Sequence, residues 1–371
     1  MFGIYRFILA LLVLVTHIGK VEIYGGFAVW GFFMLSGFLI TGVLNRRYGF
    51  TKAGLVEFGW SRALRLYPTY WLSTILAFLA VLVSASSINP QTINNALAIP
   101  ASLFDRIAGF FIAGNTLLGL GRVGLALSPS VWAVDVEMLL YVVSAVWLSR
   151  APKNSSRAIV VCTLLFPLCW LTGKILMRQG QSEIAQQMTY SFLPAALLPY
   201  GIGAWLWFYK RHFQSFKPNK SWLLGCALLL IVCASGLSRI SITLAYLAAL
   251  PVMALITAML ANLDLRGLKK KIDDLFGHMS YSIYLTHWTC ALFVAWIFPR
   301  GIASTIYYLN KEGMVVFTAL GFGLVTLVTL LLSVLIAIGF EAPIERHRRA
   351  FAKRLAMALV GRVWNPGRSS L

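Results

Sequence analysis

The chain has 371 residues, of which 59% are hydrophobic and 12% are charged, and its mean hydropathy is +0.78. Soluble domains contain about 45–50% apolar and about 25% charged residues, so this composition excludes an ordinary soluble enzyme, a disordered protein and a disulfide scaffold. The apolar stretches are long and continuous, unlike the alternation over about ten residues that is typical of outer-membrane barrels. The sequence therefore predicts an all-α polytopic membrane protein.

Ten segments are candidates to cross a bilayer, whose hydrocarbon core of about 30 Å needs about 20 helical residues. They lie at 4–19, 25–44, 69–88, 131–149, 158–177, 190–209, 222–238, 242–262, 279–299 and 314–340. A further apolar segment, 103–121, is interrupted by Asp105, Arg106 and four glycines. We interpret this segment as a re-entrant or interfacial helix in an external loop.

The basic residues predict the orientation, because Lys and Arg concentrate in the cytoplasmic loops of membrane proteins. With a cytoplasmic N-terminus, 24 of the 32 Lys and Arg residues fall in segments that the ten spans place inside, and 8 fall outside. Both termini are therefore predicted to be cytoplasmic, with an integral membrane domain at 1–345 and a basic tail at 346–371. Most of the net charge of +20 then lies beside anionic lipid, and no nucleic acid partner is predicted.

Arg6 and His17 share the first predicted span. Ionisable groups inside a bilayer are costly, so they are candidates for functional sites. Eleven residues turn a helix by about 1100°, which places both side chains on one face, about 16 Å apart along the axis. The pair would put a cation near the cytoplasmic end and a base near the outer end. The alternative is a snorkelling arginine and a hydrogen-bonded histidine at the interface.

The fourth predicted span carries two carboxylates, Asp135 and Glu137. Glu137 lies about 9 Å below the outer start of this span, at about the depth of His17. We therefore expect a contact in which the carboxylate orients the imidazole and raises its basicity. Asp135 points to another face and is expected closer to water. The alternative for Glu137 is a structural carboxylate paired with a buried cation.

Two other spans carry polar residues of interest. Ser280, Tyr284 and His287 fall on one helical stripe of the ninth span, where His287 is either a second catalytic imidazole or a hydrogen bond between packed helices. In the second span, Ser36 and Gly37 would let another helix or a thin ligand arm come close. No base is adjacent to Ser36 in the sequence, so we do not interpret it as a nucleophile.

The predicted inner loop between the second and third spans contains Arg62 and Arg65. Their spacing of three residues puts both guanidinium groups on one face of a helix, and such a fork suits a phosphate. The alternative is that both residues only mark the cytoplasmic side.

Five motifs occur in order along the chain. They are Arg6-x10-His17, Phe-Phe-Met-Leu-Ser-Gly-Phe at 32–38, Arg62-x-x-Arg65 followed by Tyr67-Pro68, Trp132-x4-Glu137 with Tyr141, and Tyr281-Ser-Ile-Tyr284-Leu-x-His287. Each motif alone is weak. Together, on a ten-span topology, they resemble the acyltransferase-3 family of membrane O-acyltransferases, which includes bacterial O-antigen and exopolysaccharide O-acetyltransferases. The resemblance extends from residue 1 to about residue 345.

The resemblance implies a multi-pass enzyme of the bacterial inner membrane that moves an acyl group, commonly acetyl from acetyl-CoA, to a hydroxyl of an extracytoplasmic glycan. It implies that Arg6 and His17 are essential and links Arg62 and Arg65 to CoA phosphates. Many members carry an acidic residue just before the arginine of the first helix, and this chain has none there.

The family's Trp-Ser-Leu-x-x-Glu run maps onto 132–137, where Ala133 and Val134 replace Ser and Leu and the glutamate is kept. The expected site has catalytic, donor-binding and substrate residues, with acyl-CoA and a glycan as partners and no metal. The catalytic residues are His17, Glu137 and Arg6; the donor-binding residues are Arg62, Arg65, Arg6 and Ser36; the oxyanion or substrate candidates are Tyr284, His287, Trp132 and Asp135.

Two other functions fit parts of the same pattern. A polytopic transporter or glycan exporter without acyl transfer would share the topology, the histidines within the membrane and the basic inner face. An intramembrane metal site would use His17, His287 and Glu137 as ligands.

Overall fold

The computed structural model describes residues 1–21, 23–112, 116, 118–120, 127–214, 220–298 and 305–360. Its α-helices are α1 (Phe2–Ile18), α2 (Ile23–Val43), α3 (Lys52–Ser84), α4 (Leu103–Phe110), α5 (Trp132–Val146), α6 (Pro152–Arg178), α7 (Ser182–Met188), α8 (Leu193–Phe208), α9 (Lys220–Ser235), α10 (Ile242–Ala261), α11 (Gly267–Ile297), α12 (Ala319–Ile336) and α13 (Ala342–Val360). Short 3-10 turns lie at Pro90–Thr92, Leu148–Arg150, Lys210–Phe213 and Leu237–Arg239, and π-helical turns at Leu44–Tyr48 and Ala337–Glu341. The strands found in these ranges, β1 (Tyr307–Leu309) and β2 (Val315–Phe317), form one antiparallel hairpin with Tyr307 opposite Phe317.

Among the described residues, seven helical segments are long and apolar enough to cross a membrane. They are Tyr24–Tyr48, Lys52–Ser84, Pro152–Arg178, Ser182–Phe208, Ser221–Arg239, Ile242–Ala261 and Ala319–Arg348. The prediction of a helical, multi-pass membrane protein is therefore confirmed. Each of the seven coincides with one of the ten predicted spans.

The other three predicted spans also coincide with helices, but these helices are short or polar. Helix α1 has 17 residues and α5 has 15, so they are about 26 Å and 23 Å long, less than a bilayer core. Helix α11 has 31 residues, and it carries charged residues in its first turns and polar residues along its middle. The count of ten stays a prediction.

Helix α1 lies between α2 and α11. Two hydrogen bonds join α1 to α11: Gly3 N–H to Asp273 Oδ2 at 3.1 Å and His17 Nδ1 to His287 Nε2 at 2.9 Å. Both join residues that are 270 positions apart in the sequence, so the two helices run parallel. A Cβ at Gly3 would lie 1.7 Å from the carbonyl oxygen of Asp273, so only glycine permits this approach. The two helices are thereby held in register along their whole shared length.

Helix α2 packs on α8 through two glycines. A Cβ at Gly37 would lie 2.0 Å from the carbonyl oxygen of Tyr200, and one at Gly203 would lie 1.9 Å from that of Met34. Small residues allow such close backbone packing within membranes. The contact at Gly37 predicted from the sequence is therefore with a helix, and it fixes the position of the neighbouring Ser36.

Helix α3 begins at Lys52, 17 residues before the predicted third span. The side chain of Thr51 caps it by accepting a hydrogen bond from Gly54 N–H at 3.2 Å. The predicted third span therefore begins too late, because hydropathy marks the apolar part of a helix and not its polar first turns, whereas the helix expected at Arg62 and Arg65 is confirmed. Both arginines lie on a rigid helix.

The segment expected to be re-entrant or interfacial, 103–121, begins with α4, and its residues 113–115, 117 and 121 lie outside the described residues. The helix ends against the middle of α3, where Tyr70 Oη donates to the Gly109 carbonyl at 2.5 Å and Trp71 Nε1 donates to the Phe110 carbonyl at 3.0 Å. Trp71 lies 13 residues, or about 20 Å, from the end of α3 at Ser84. This depth agrees with a re-entrant segment whose last carbonyl groups are satisfied by α3.

Helix α13 crosses the predicted boundary between the membrane domain and the tail, and it packs on α3. Arg348 is buried and donates to the carbonyl and the hydroxyl of Ser61. It also forms two hydrogen bonds with Glu345, at 2.6 and 2.7 Å. The start of α13 is therefore fastened to the helix that carries Arg62 and Arg65. Residues 361–371 of the predicted tail lie outside the described residues.

Candidate active site

A pair of histidines lies at the C-terminal end of α1, which is the predicted outer end. His17 Nδ1 and His287 Nε2 are 2.9 Å apart, and the two rings stack with centroids 5.2 Å apart. The indole of Trp288 also stacks on the His17 ring, at 5.2 Å between centroids. His287 is completely buried, whereas His17 is half-buried. We therefore expect that a substrate reaches His17, and that His287 lies on the buried side of the pair.

A cluster of charged and polar side chains, the inner cluster, lies at the N-terminal end of α1, which is the predicted inner end. Arg6 interacts electrostatically with Arg65, Glu137, Tyr141 and Arg62. All three guanidinium groups are partly buried, and among the described residues the Nε atom of Arg62 is buried without a hydrogen-bond partner. Glu137 therefore lies near Arg6, and Glu345 interacts electrostatically with Arg65, so the cluster combines three guanidinium groups with carboxylates on two sides.

Glu137 belongs to this inner cluster. Its Oε1 accepts hydrogen bonds from Ser36 Oγ and from Tyr141 Oη, the latter at 2.7 Å. Ser36 lies near the start of α1 because α2 runs antiparallel to it, as the ring contact of Phe2 with Phe38 at 5.6 Å indicates.

The expected contact between Glu137 and His17 is wrong, and the described residue that binds His17 is His287. The error lies in the depth expected for α5. Tyr284 Oη donates to the carbonyl of Ser130 at 2.7 Å, and Tyr284 lies about one turn below His287 on α11. Helix α5 thus begins already below the histidine pair, and Glu137 lies about 10 Å deeper still.

The other substrate candidates make contacts of their own. The Tyr284 hydroxyl donates its hydrogen bond to the Ser130 carbonyl. Trp132 packs against Tyr190 with ring centroids 5.3 Å apart. Asp135 is 5% exposed and accepts hydrogen bonds from Thr116 N–H at 2.8 Å and from its hydroxyl at 2.9 Å. The expectation that Asp135 lies closer to water is wrong, because it anchors the external segment at Thr116.

A small pocket of about 20 Å³ lies beside Arg65, between α3, α11 and the start of α13. His278, Tyr281, Glu341 and Glu345 contribute to its lining. His278 Nδ1 lies 3.3 Å from Glu341 Oε2, and Glu341 also accepts a hydrogen bond from Ser282 Oγ at 2.7 Å. No sequence pattern predicts this pocket, because its residues come from three segments with no common spacing.

The metal site considered from the sequence is not assembled. His17 and His287 are in contact, but Glu137 lies with Ser36 and Tyr141 at the other end of α1. Within the part of the chain that the structure describes, no three His, Cys, Asp or Glu side chains form a group that could hold a metal ion.

The comparison with protein families agrees with the motifs. A family model described as an acyltransferase domain, that of the acyltransferase-3 family, matches residues 2–338. The chain belongs to this family, and it is accordingly a membrane acyltransferase. Neither the curated proteins nor the solved structures contain a match to the chain. The family favours acyl transfer over the alternative of a transporter or exporter.

Proposed function

We propose that this acyltransferase moves an acyl group, commonly acetyl, from cytoplasmic acyl-CoA to a hydroxyl of an extracytoplasmic glycan such as lipopolysaccharide O-antigen or exopolysaccharide. The observation that carries the proposal is the pair of polar clusters at the two ends of α1, with guanidinium groups at one end and imidazoles at the other; we call the two clusters together the α1 seam. Arg6 and His17 lie about 16 Å apart along this helix. A donor with phosphates at one end of a long arm and a thioester at the other matches that arrangement.

The inner cluster supports binding of the phosphates. Three partly buried guanidinium groups that interact electrostatically repel one another, and a bound anion would offset that repulsion. The unpartnered Nε of Arg62 is a donor that a phosphate oxygen would satisfy. We assign the phosphates to Arg62 and Arg65, beside which the small pocket lies.

The arm of the donor then follows α1 past Arg6 toward His17. Ser36 and Tyr141 hold the carboxylate of Glu137 beside Arg6, so they fix the position of the cation. In this arrangement Ser36 acts on the donor site through Glu137 and does not itself carry the acyl group.

The chemical step takes place at His17. The imidazole removes the proton from the acceptor hydroxyl while the hydroxyl oxygen attacks the thioester carbonyl. The carbon–sulfur bond then breaks, the CoA thiolate leaves, and the proton on His17 passes to it. A covalent acetyl-imidazole on His17 is the alternative route to the same products. His287, and not Glu137, is the side chain that orients His17 in this proposal.

We also propose a ten-span topology in the bacterial inner membrane with both termini in the cytoplasm. Helices α1 and α11, the predicted first and ninth spans, run parallel. Helices α2 and α8, the predicted second and sixth spans, also run parallel. Trp30 contacts Tyr190 and Gly42 contacts Trp207, and the two contacts join residues at similar separations in the sequence. These directions support the alternation that ten crossings require.

The test is mass spectrometry of surface glycans from cells in which the gene is intact, deleted, or replaced by His17→Ala. We expect an alkali-labile acetyl group that disappears on deletion and stays absent with His17→Ala. His212→Ala, which changes an exposed histidine outside the seam, is the matched control and should restore the modification. Full modification by His17→Ala would refute the proposed role of His17.

Binding of the donor is tested separately with the purified protein. Acetyl-CoA should protect it against thermal unfolding, and the free CoA thiol should appear only when an acceptor is present. A protein that acetyl-CoA does not protect would contradict the proposed donor, even if surface glycans were altered in the deletion strain.

A further inference from the structure

A chain of hydrogen bonds runs from the backbone of α11 through His287 to His17. His287 Nδ1 lies 3.1 Å from the carbonyl oxygen of Ile283, and His287 Nε2 lies 2.9 Å from His17 Nδ1. His287 has no exposed surface, so both of its ring nitrogens bond within the protein.

The partners decide which nitrogen of each ring carries a proton. A carbonyl oxygen only accepts, so the Nδ1 of His287 must be the protonated nitrogen. In a neutral imidazole the other nitrogen then accepts, so His287 Nε2 receives the hydrogen bond. The donor is therefore the Nδ1–H of His17, and the lone pair of His17 is left on Nε2.

We propose that His287 is a positioning residue that holds His17 in its Nδ1-protonated tautomer, so that Nε2 of His17 is the atom that takes the proton of the acceptor. This inference rests on the proposed function and adds the residue and the atom that make His17 a base. Stacking of Trp288 on the His17 ring limits rotation of the imidazole and so keeps Nε2 in one direction.

The alternative role for the histidine contact is to hold α1 and α11 together. That role is filled elsewhere on the same pair of helices. The carboxylate of Asp273 accepts from the N–H groups of both Gly3 and Ile4, at 3.1 and 2.9 Å, and Phe7 packs on Phe276. The pair would remain packed without the histidine bond, whereas the tautomer of His17 would not be fixed.

The test compares two substitutions at one position. His287→Gln keeps an acceptor oxygen for His17 Nδ1–H, while His287→Leu removes it at similar volume. We expect kcat to fall about 100-fold for His287→Leu, within the range that general base catalysis contributes, with KM for acetyl-CoA changed less than about threefold. His287→Gln should recover at least a tenth of the activity.

Thr286→Val is the matched control, because it also changes a buried polar side chain on α11, one that bonds to the Ser282 carbonyl of its own helix. It should keep activity near that of the parent protein. Equal loss in the Leu, Gln and Thr286→Val proteins would mean that α11 was disturbed, and it would overturn the positioning role.

A second readout needs no activity. With ¹⁵N-labelled histidine, His17 is identified by the signal lost in His17→Ala, and its nitrogen shifts report the tautomer. We expect Nδ1–H in the parent protein and a mixture in His287→Leu. An Nε2–H tautomer in the parent protein would overturn the inference. If His17→Ala itself is fully active, the proposed function fails, whatever the tautomer is.

Discussion

The two ends of the α1 seam are both polar, but the polar groups at the two ends differ in whether the protein itself supplies their hydrogen-bond partners. At the outer end His17 and His287 bond to each other, and the Ile283 carbonyl completes the chain. At the inner end Arg6 lies near Glu137, Arg62 and Arg65, and a buried donor of Arg62 has no hydrogen-bond partner in the described residues.

The difference indicates separate roles for the two ends. A hydrogen-bonded imidazole pair is complete without a ligand, so its structure serves the geometry of the reacting atoms. A cluster of guanidinium groups with an unsatisfied donor has a place for an anion, so we propose that this end binds the donor. Substitutions at the outer end should therefore change kcat, and substitutions at the inner end should change the affinity for the donor.

The largest effect is expected for His17→Ala. Loss of the base should reduce transfer of acetyl groups by at least about 1000-fold, while thermal protection by acetyl-CoA remains within about twofold. The measurement is acetyl transfer by the purified protein alongside a thermal unfolding assay. Loss of protection together with activity would show that the two ends do not act separately.

A smaller effect is expected for the double substitution Arg62→Ala and Arg65→Ala. Removal of two guanidinium groups should raise KM for acetyl-CoA by about 10- to 100-fold, because each makes charge-assisted hydrogen bonds to phosphate. Lys52→Ala, which removes an exposed charge at the start of the same helix, is the control and should leave KM unchanged. An unchanged KM in the double variant would mean that these arginines do not bind the donor and only mark the cytoplasmic side.

Glu137→Gln tests at which end of α1 Glu137 acts. The sequence predicts a position beside His17, whereas the structure places the residue beside Arg6. The amide keeps the hydrogen bonds with Ser36 and Tyr141 but removes the negative charge beside Arg6. We expect a change of about threefold to tenfold in KM for acetyl-CoA and little change in kcat. A fall in kcat with an unchanged KM would instead support the pairing of Glu137 with His17 that the sequence predicts.

The smallest effect is expected for Ser61→Ala, outside the seam. The Ser61 hydroxyl bonds to Arg348 and accepts from Tyr48 Oη at 2.7 Å, so its loss should destabilise the protein by about 1–2 kcal/mol. The measurement is thermal unfolding in detergent, with Ser87→Ala at an exposed position as the control. Equal unfolding temperatures would mean that α13 is not held at this point.

Much of the fold could be predicted because composition and hydropathy act locally. Each of the ten predicted spans lies on a helix, and the motif order alone predicted the family. Helix ends were less predictable. The first turns of α3 and α11 contain charged residues that hydropathy excludes, although Thr51 is a recognisable cap for α3.

The site could be predicted in part. Helical periodicity placed Arg6 and His17 on one face and Tyr284 and His287 on one stripe, because both patterns lie within single helices. His17 as the partner of Glu137 was wrong, since that pairing depends on the depth at which α5 begins relative to α1, and the alternative of a buried cation agrees with the interaction of Glu137 with Arg6.

The sequence by itself determined that this chain is a helical membrane protein and a member of an acyltransferase family, and it identified the residues with which the seam is built. Only the tertiary structure decided how they pair: His17 with His287, Glu137 with Ser36 and Tyr141, and Arg348 with Ser61. The physical reason is that apolar periodicity is a property of one helix, whereas a hydrogen bond between helices depends on their relative depth and rotation, which close packing at glycines such as Gly3 and Gly37 sets.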